Sequence, residues 1–289
     1  MTTPASVLSV GAVLGEGPVW VPRDACLWFV DIKGQLVYRF DPASGSARSW
    51  PAPAQVGWIL PAAGGGYLAG LKTGVHRFDP SNGAFDLLSD PEPDRPGNRL
   101  NDAAIDATGR LWFGTMDDDE KRATGRVYTL GAGSCADVGL EPVTITNGPA
   151  IAPDARTLYA VDTLGRTVLK AAIRDDGTLG AAEPLIRIED NAGYPDGAVC
   201  DAEGCLWIGL FGGWGVRRYD PSGRLMRTIP FPVANVTKIA FGGEGLRTAY
   251  ATTARKGLDP ASLAAQPLAG DLFAFDPGVA GLPVAEAIV

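Results

Sequence analysis

One phrase returns along this chain: a polar residue, a short apolar run, a turn at an Asp, and a resumed run carrying Leu and an aromatic residue. It is fullest in Gly193–Gly209. There Asp196-Gly197 leads into Ala198-Val199-Cys200, the chain turns over Asp201–Gly204, and Leu206-Trp207-Ile208 follows. Asn101–Gly114, Asn147–Tyr159 and the segment from Glu16 to Phe29 carry further copies. Two apolar runs around a tight polar turn read as an antiparallel hairpin. A hairpin repeated at a long, regular interval calls for neighbours of its own kind to cover its apolar faces.

The interval sets the architecture. Second-strand starts fall at Leu27, Leu68, Leu111, Leu158, Leu206 and Ala249, spaced by about 41 to 48 residues, the range of a four-stranded propeller blade. Further strands close on aromatic-Asp-Pro turns, as in Phe40-Asp41-Pro42, Phe78-Asp79-Pro80, Tyr219-Asp220-Pro221 and Phe275-Asp276-Pro277. Proline ends them because it cannot donate to the ladder. The predicted fold is all-β, a six-bladed β-propeller in a single domain over residues 1–289. The runs Val7–Val10 and Val284–Val289 are expected to share the last blade and close the ring. A β-sandwich also has short strands but does not repeat one phrase at a fixed long period. The 38 Gly and 23 Pro suit a chain that turns sharply every ten or so residues. Pro260–Ala265 is the one stretch read as a turn or two of helix.

Charge and composition narrow the function. A net charge of -8 repels a phosphate backbone or an anionic membrane face, so neither nucleic acid nor membrane is an expected partner. No obligate protein partner is evident. Met1–Ser9 lacks a basic start and a long apolar run, so a cytoplasmic location is expected. Cys26, Cys135, Cys200 and Cys205 show no CxxC spacing and read as small buried residues, although Cys200 and Cys205 flank one turn. His76, the single histidine, reads as a strand residue at a surface or rim. Without a second histidine a His-rich zinc site cannot be built, and a Ser-His-Asp triad would have to use His76.

In a propeller the first strand of each blade lines the central channel, so equivalent repeat positions converge on one axis. Glu16, Asn101, Asn147 and Asp196 are such positions, and Arg99 points to the same side as Asn101 by the two-residue period of a strand. Asp or Asn before Gly is commonly only a turn residue. Four at matching phase suggest more, because carboxylates buried in a channel are costly without a partner. Two carboxylates and one or two amide oxygens make a hard-oxygen site for one divalent ion such as Ca²⁺, Mg²⁺ or Mn²⁺, open also to Fe²⁺ or Zn²⁺.

The segments Leu14–Trp20, Asn98–Asp102, Trp112–Met116, Thr146–Gly148, Tyr159–Thr163, Tyr194–Gly197 and Thr253–Leu258 together resemble the SMP-30/gluconolactonase/regucalcin-like sugar lactonases over essentially the whole chain. The resemblance implies a six-bladed propeller that takes a small-molecule sugar lactone. It implies a single metal held by Glu16, Asn147 and Asp196, substrate-binding roles for Arg99 and Asn101, and an acidic lid contact in Asp117–Glu120, at Asp119. In such a site the cation polarises the lactone carbonyl, and Asp196 acts as general base toward water. Trp58, Phe211 and Trp214 are aromatic faces available to a sugar, or core and rim packing. Two other readings stay open: a calcium-binding regulatory or scaffold propeller without turnover, and a phosphotriester or other ester hydrolase on the same scaffold.

Overall fold

The computed structural model describes residues 3–131 and 133–289. Its strands form six four-stranded antiparallel sheets arranged as the blades of a propeller. The innermost strands are Gly15–Val21, Val56–Pro61, Asn98–Ile105, Thr146–Ile151, Tyr194–Cys200 and Val236–Gly242. Each packs against the next, and the last packs against the first. The second strands begin within a residue of the expected positions, at Cys26, Tyr67, Leu111, Thr157, Leu206 and Thr248. Pro260–Ala265 is a short α-helix with Asp259 at its N-cap.

The recurring Asp of the phrase has a structural task. Asp201 accepts hydrogen bonds from the backbone of Glu203 and Cys205, at 2.9 and 3.0 Å, and from Trp207 Nε1 at 2.8 Å. Asp106 does the same for Thr108, Arg110 and Trp112 Nε1. Asp24 takes Trp28 Nε1 at 2.9 Å. One carboxylate thus shapes the hairpin turn and satisfies the indole that the second strand buries, so no polar atom is stranded beneath the turn. The Asp of the aromatic-Asp-Pro phrase works similarly: Asp41, Asp79 and Asp220 accept from the backbone two residues on.

Between the blades lies an apolar core in which Trp28, Trp58, Trp112 and Trp207 are fully buried. Trp58 packs at 6.2 Å from the ring of Phe113, so it is a core residue and presents no face to a sugar. Trp214 is 48% exposed on the rim. His76 is buried, with Nδ1 3.1 Å from the Gly74 carbonyl, because it alternates inward with Phe78 on its strand. All four cysteines are free. No helix among the described residues is long and apolar enough to cross a membrane.

The termini divide the work differently from the expectation. The last blade is completed by Ala5–Leu8 alone, paired with Leu272–Phe275. Since that strand already occupies the free edge, residues 284–289 find no partner there. They instead cross the end of the channel at which the innermost strands finish. Ala287 donates to the Pro61 carbonyl and accepts from Ala63, Ile288 donates to the Gly109 carbonyl, and Glu286 meets Arg23 at 2.6 Å. The C-terminal segment is therefore a strap spanning blades rather than a strand within one.

Candidate active site

All six innermost strands lose register with their neighbours near the same point, between Glu16 and Val19, Val56 and Trp58, Leu100 and Ala103, Asn147 and Ala150, Pro195 and Ala198, and Val236 and Lys238. Each irregularity is a bulge that re-aims the side chains around it. It also explains the glycine that follows Glu16, Asn147 and Asp196. Gly17 sits at φ +54, where a side chain would be strained. A Cβ on Gly197 would come within 2.5 Å of the Lys238 side chain, so this glycine makes room for that lysine in the channel.

The structure gathers the five expected residues at the channel mouth where the innermost strands begin, and buries all of them. Asn101 Nδ2 donates to Asn147 Oδ1 at 3.0 Å and to the Thr146 carbonyl at 2.6 Å, while Asn147 Nδ2 donates to Thr163 Oγ1 at 2.9 Å. These bonds fix the Asn147 amide with its oxygen beside Asn101. Arg99 Nη1 donates to Asn101 Oδ1 at 2.7 Å, and Arg99 Nε donates to Asp118 Oδ1 at 3.2 Å. Nη1 also donates to the Leu100 carbonyl at 3.1 Å, so the guanidinium is held at three points, and no acceptor among the described residues meets its Nη2.

Three residues beyond the expected set complete the site. Asp102 and Lys238 form a buried ion pair, with Nζ 2.6 Å from Oδ1, and Lys256 pairs with Glu120. Asp102 escapes a reading by strand alternation, which sets it on the opposite face from Asn101; the bulge between Leu100 and Ala103 removes that alternation. Lys238 does have a signal, as the one charged residue inside the wholly buried run Val236–Gly242. In the acidic run, Asp119 is exposed, whereas Asp118 holds Arg99 and Glu120 holds Lys256. The chain turns at 118–120, which points the middle residue to solvent.

The electrostatics favour a cation. Burial, together with the charge of Asp102, pushes the Asp196 carboxyl up to about 8, against the pull of Lys256, Arg99 and Lys238. Burial, Asp196 and Asp102 likewise raise Glu16 well above the ordinary carboxylate range. Nothing among the described residues donates to the Asp196 carboxylate, and buried Asp102 Oδ2 has no partner. Among the same residues Glu16 accepts only from the Gly17 amide and Asn147 Oδ1 only from Asn101, so hard oxygens crowded together with lone pairs to spare fit a divalent ion, with Glu16, Asn147 and Asp196 as the set that could hold it. No group of three or more His, Cys, Asp or Glu gathers for a metal among the described residues. The set that fits here owes its third donor to an amide.

Below the Asp102–Lys238 pair the channel changes character. A cavity of about 270 Å³ lined by residues such as Val19, Ala103, Ala150, Ala198 and Ile239 ends at Leu282–Ala285 of the strap. The polar chemistry is therefore confined to one mouth.

A family model described as SMP-30/Gluconolactonase/LRE-like region matches residues 14–255. The chain is 33% identical to the 6-deoxy-6-sulfogluconolactonase of Pseudomonas putida, with 93% of each chain covered. It is 34% identical to the L-arabinolactonase of Azospirillum brasilense, covering 94% of this chain and 91% of that one. Among solved structures, a calcium-binding protein, regucalcin, from Agrobacterium tumefaciens superposes with a TM-score of 0.92 at 28% identity, over 100% of this chain and 99% of that one.

Proposed function

Since this chain belongs to the SMP-30/gluconolactonase/LRE-like family, we propose that it hydrolyses a sugar lactone to the aldonic acid with one divalent cation held by Glu16, Asn147 and Asp196. The observation that carries this reading is two buried carboxylates, Asp196 with no protein donor and Glu16 with only the Gly17 amide among the described residues, set with an oriented amide oxygen beside a guanidinium that keeps one nitrogen free. A bound cation supplies stabilisation of the negative charge that grows on the carbonyl oxygen as water adds.

The remaining work falls to this chain's own groups. Asp196, whose carboxylate no protein donor occupies, takes the proton of the attacking water, a contribution of about 10²–10⁴-fold when the base is positioned. Glu16 and Asn147 keep their oxygens fixed, the latter through Asn101 and Thr163. Arg99 donates from Nη2 to lactone or hydroxyl oxygens. Asn101 accepts a sugar hydroxyl on the Oδ1 lone pair that Arg99 leaves free. Lys238 and Asp102 close the floor, so water enters from the mouth.

Ring opening of glucono-, xylono- and arabinonolactone, followed by proton release before and after EDTA, tests the reading. Turnover lost on chelation and restored by Ca²⁺, Mg²⁺, Mn²⁺, Zn²⁺ or Fe²⁺ is expected. Undiminished turnover in metal-free protein removes the cation from the scheme. Stoichiometric ion binding with no turnover of any lactone replaces the enzyme by a calcium-binding propeller.

A further inference from the structure

Although the chain carries a net charge of -8, three cationic groups converge on one carboxylate at the rim of this mouth. Lys33 Nζ lies 2.7 Å from Asp118 Oδ1, Lys72 Nζ lies 3.0 Å from Oδ2, and Arg99 Nε lies 3.2 Å from Oδ1. Gln55 Nε2 adds a fourth bond to Oδ2 at 3.0 Å, and Lys33 also donates to Gln55 Oε1. Among the described residues none of the three cations forms an ion pair with a second acidic group; Arg99 also feels the charges of Glu16 and Glu120, while Lys33 and Lys72 share the single carboxylate of Asp118. Like charges held this close repel.

The arrangement also leaves donors unused. Lys72 spends one of its three ammonium hydrogens on the protein, Lys33 spends two, and Arg99 keeps Nη2. Both lysine side chains are part-exposed, at 27% and 34%, so their ammonium groups reach the entrance. Arg99 joins rim and site, with Nη1 on Asn101 and Nε on Asp118. A substrate whose carbonyl lies by Asp196 therefore extends its far end toward Lys33 and Lys72. A neutral sugar gives this surplus charge nothing to meet, whereas a multi-oxygen anion accepts several such donors at once.

We propose that Lys33 and Lys72, with Arg99, form an anion subsite, and that the preferred substrate is a sugar lactone bearing a sulfonate, phosphate or carboxylate at the end remote from its carbonyl. The substrate class rests on the lactonase reading; the subsite itself is measurable without turnover.

The test compares kcat/KM for gluconolactone and for its 6-phospho and 6-sulfo derivatives, in the metal-loaded parent and in a Lys33→Met/Lys72→Met variant. The parent should favour at least one anionic lactone by about tenfold or more, and which one identifies the anion. The variant should lose at least about ten times more on that lactone than on gluconolactone. The preference should shrink as KCl rises from about 20 to about 300 mM, since part-exposed charges are screened. Calorimetric titration with gluconate and 6-phosphogluconate gives a second readout, in which the parent should bind the phosphorylated acid more tightly and the variant should not. Equal or better use of the neutral lactone, or equal losses on both, overturns the proposal and leaves the lysines as supports for Asp118. If no lactone is opened but the binding preference holds and vanishes in the variant, the lactonase reading falls and the subsite stands.

Discussion

The Lys238 ammonium lies 2.6 Å from Asp102 Oδ1 across 136 residues of chain, joining the third and sixth blades in the middle of the channel. Buried pairs of this kind contribute little net stability, but breaking one exposes the full desolvation cost of the survivor. Lys238→Met strands Asp102 and withdraws a cation from Glu16 and Asp196. A loss of about 3–5 kcal/mol in urea unfolding of the metal-free protein is expected. Adding Asp102→Leu should return more than half of it. If the double variant is as unstable as the single one, the pair is not the unit described.

The pH dependence of the metal-free protein has a definite sign. Asp196 titrates near 3.9 when unfolded and about 8 when folded, so the folded state holds the proton more tightly. Its contribution to stability is complete below about pH 4 and is lost as pH rises through about 8. The melting temperature of chelated protein should therefore fall over this window, and a saturating divalent ion should flatten the fall by taking the proton's place. A flat profile without metal would contradict the crowding of carboxylates.

Arg99→Lys tests the guanidinium. Lysine retains the charge, but one ammonium cannot hold Asp118 and Asn101 and still present a planar pair of donors to substrate. A fall in kcat/KM of about ten- to hundredfold on the best lactone is expected, with metal affinity nearly unchanged. Steady-state kinetics beside a metal titration separates this from simple loss of the ion.

Asp201→Ala should act on the fold and not on the chemistry. Its carboxylate serves Trp207 Nε1, Arg218 and two backbone amides at the end of the blade away from the site. With each buried donor left unpaired costing about 1–3 kcal/mol, a total of roughly 3 kcal/mol or more is expected. Assayed well below its lowered melting temperature, the variant should keep the parental kcat.

The ring, its period and the five polar positions were legible because propeller geometry converts sequence phase into spatial proximity. Leu111 and Leu206 begin their strands where the pattern places them, and Glu16, Asn147 and Asp196 converge as their shared phase requires. What escaped the pattern is where the period breaks. The bulge after Leu100 turns Asp102 inward against alternation, and Lys238 enters only because Gly197 lacks a side chain. The turn at 118–120 gives Arg99 to Asp118 and leaves Asp119 in solvent. The strap was missed because its pairing partners, Pro61 at the end of an innermost strand and Ala63 and Gly109 on turns, offer backbone groups that carry no mark in the side-chain pattern.

Ala5–Leu8 is made before every other strand of the ring, yet its partner, Leu272–Phe275, is made after all of them. Until then the opening residues must wait unpaired while five blades assemble in order. The nascent ring is thus an arc whose two ends meet only when its last strand has been made, so a premature stop in the final blade forfeits the circle that aims every channel residue at a common centre.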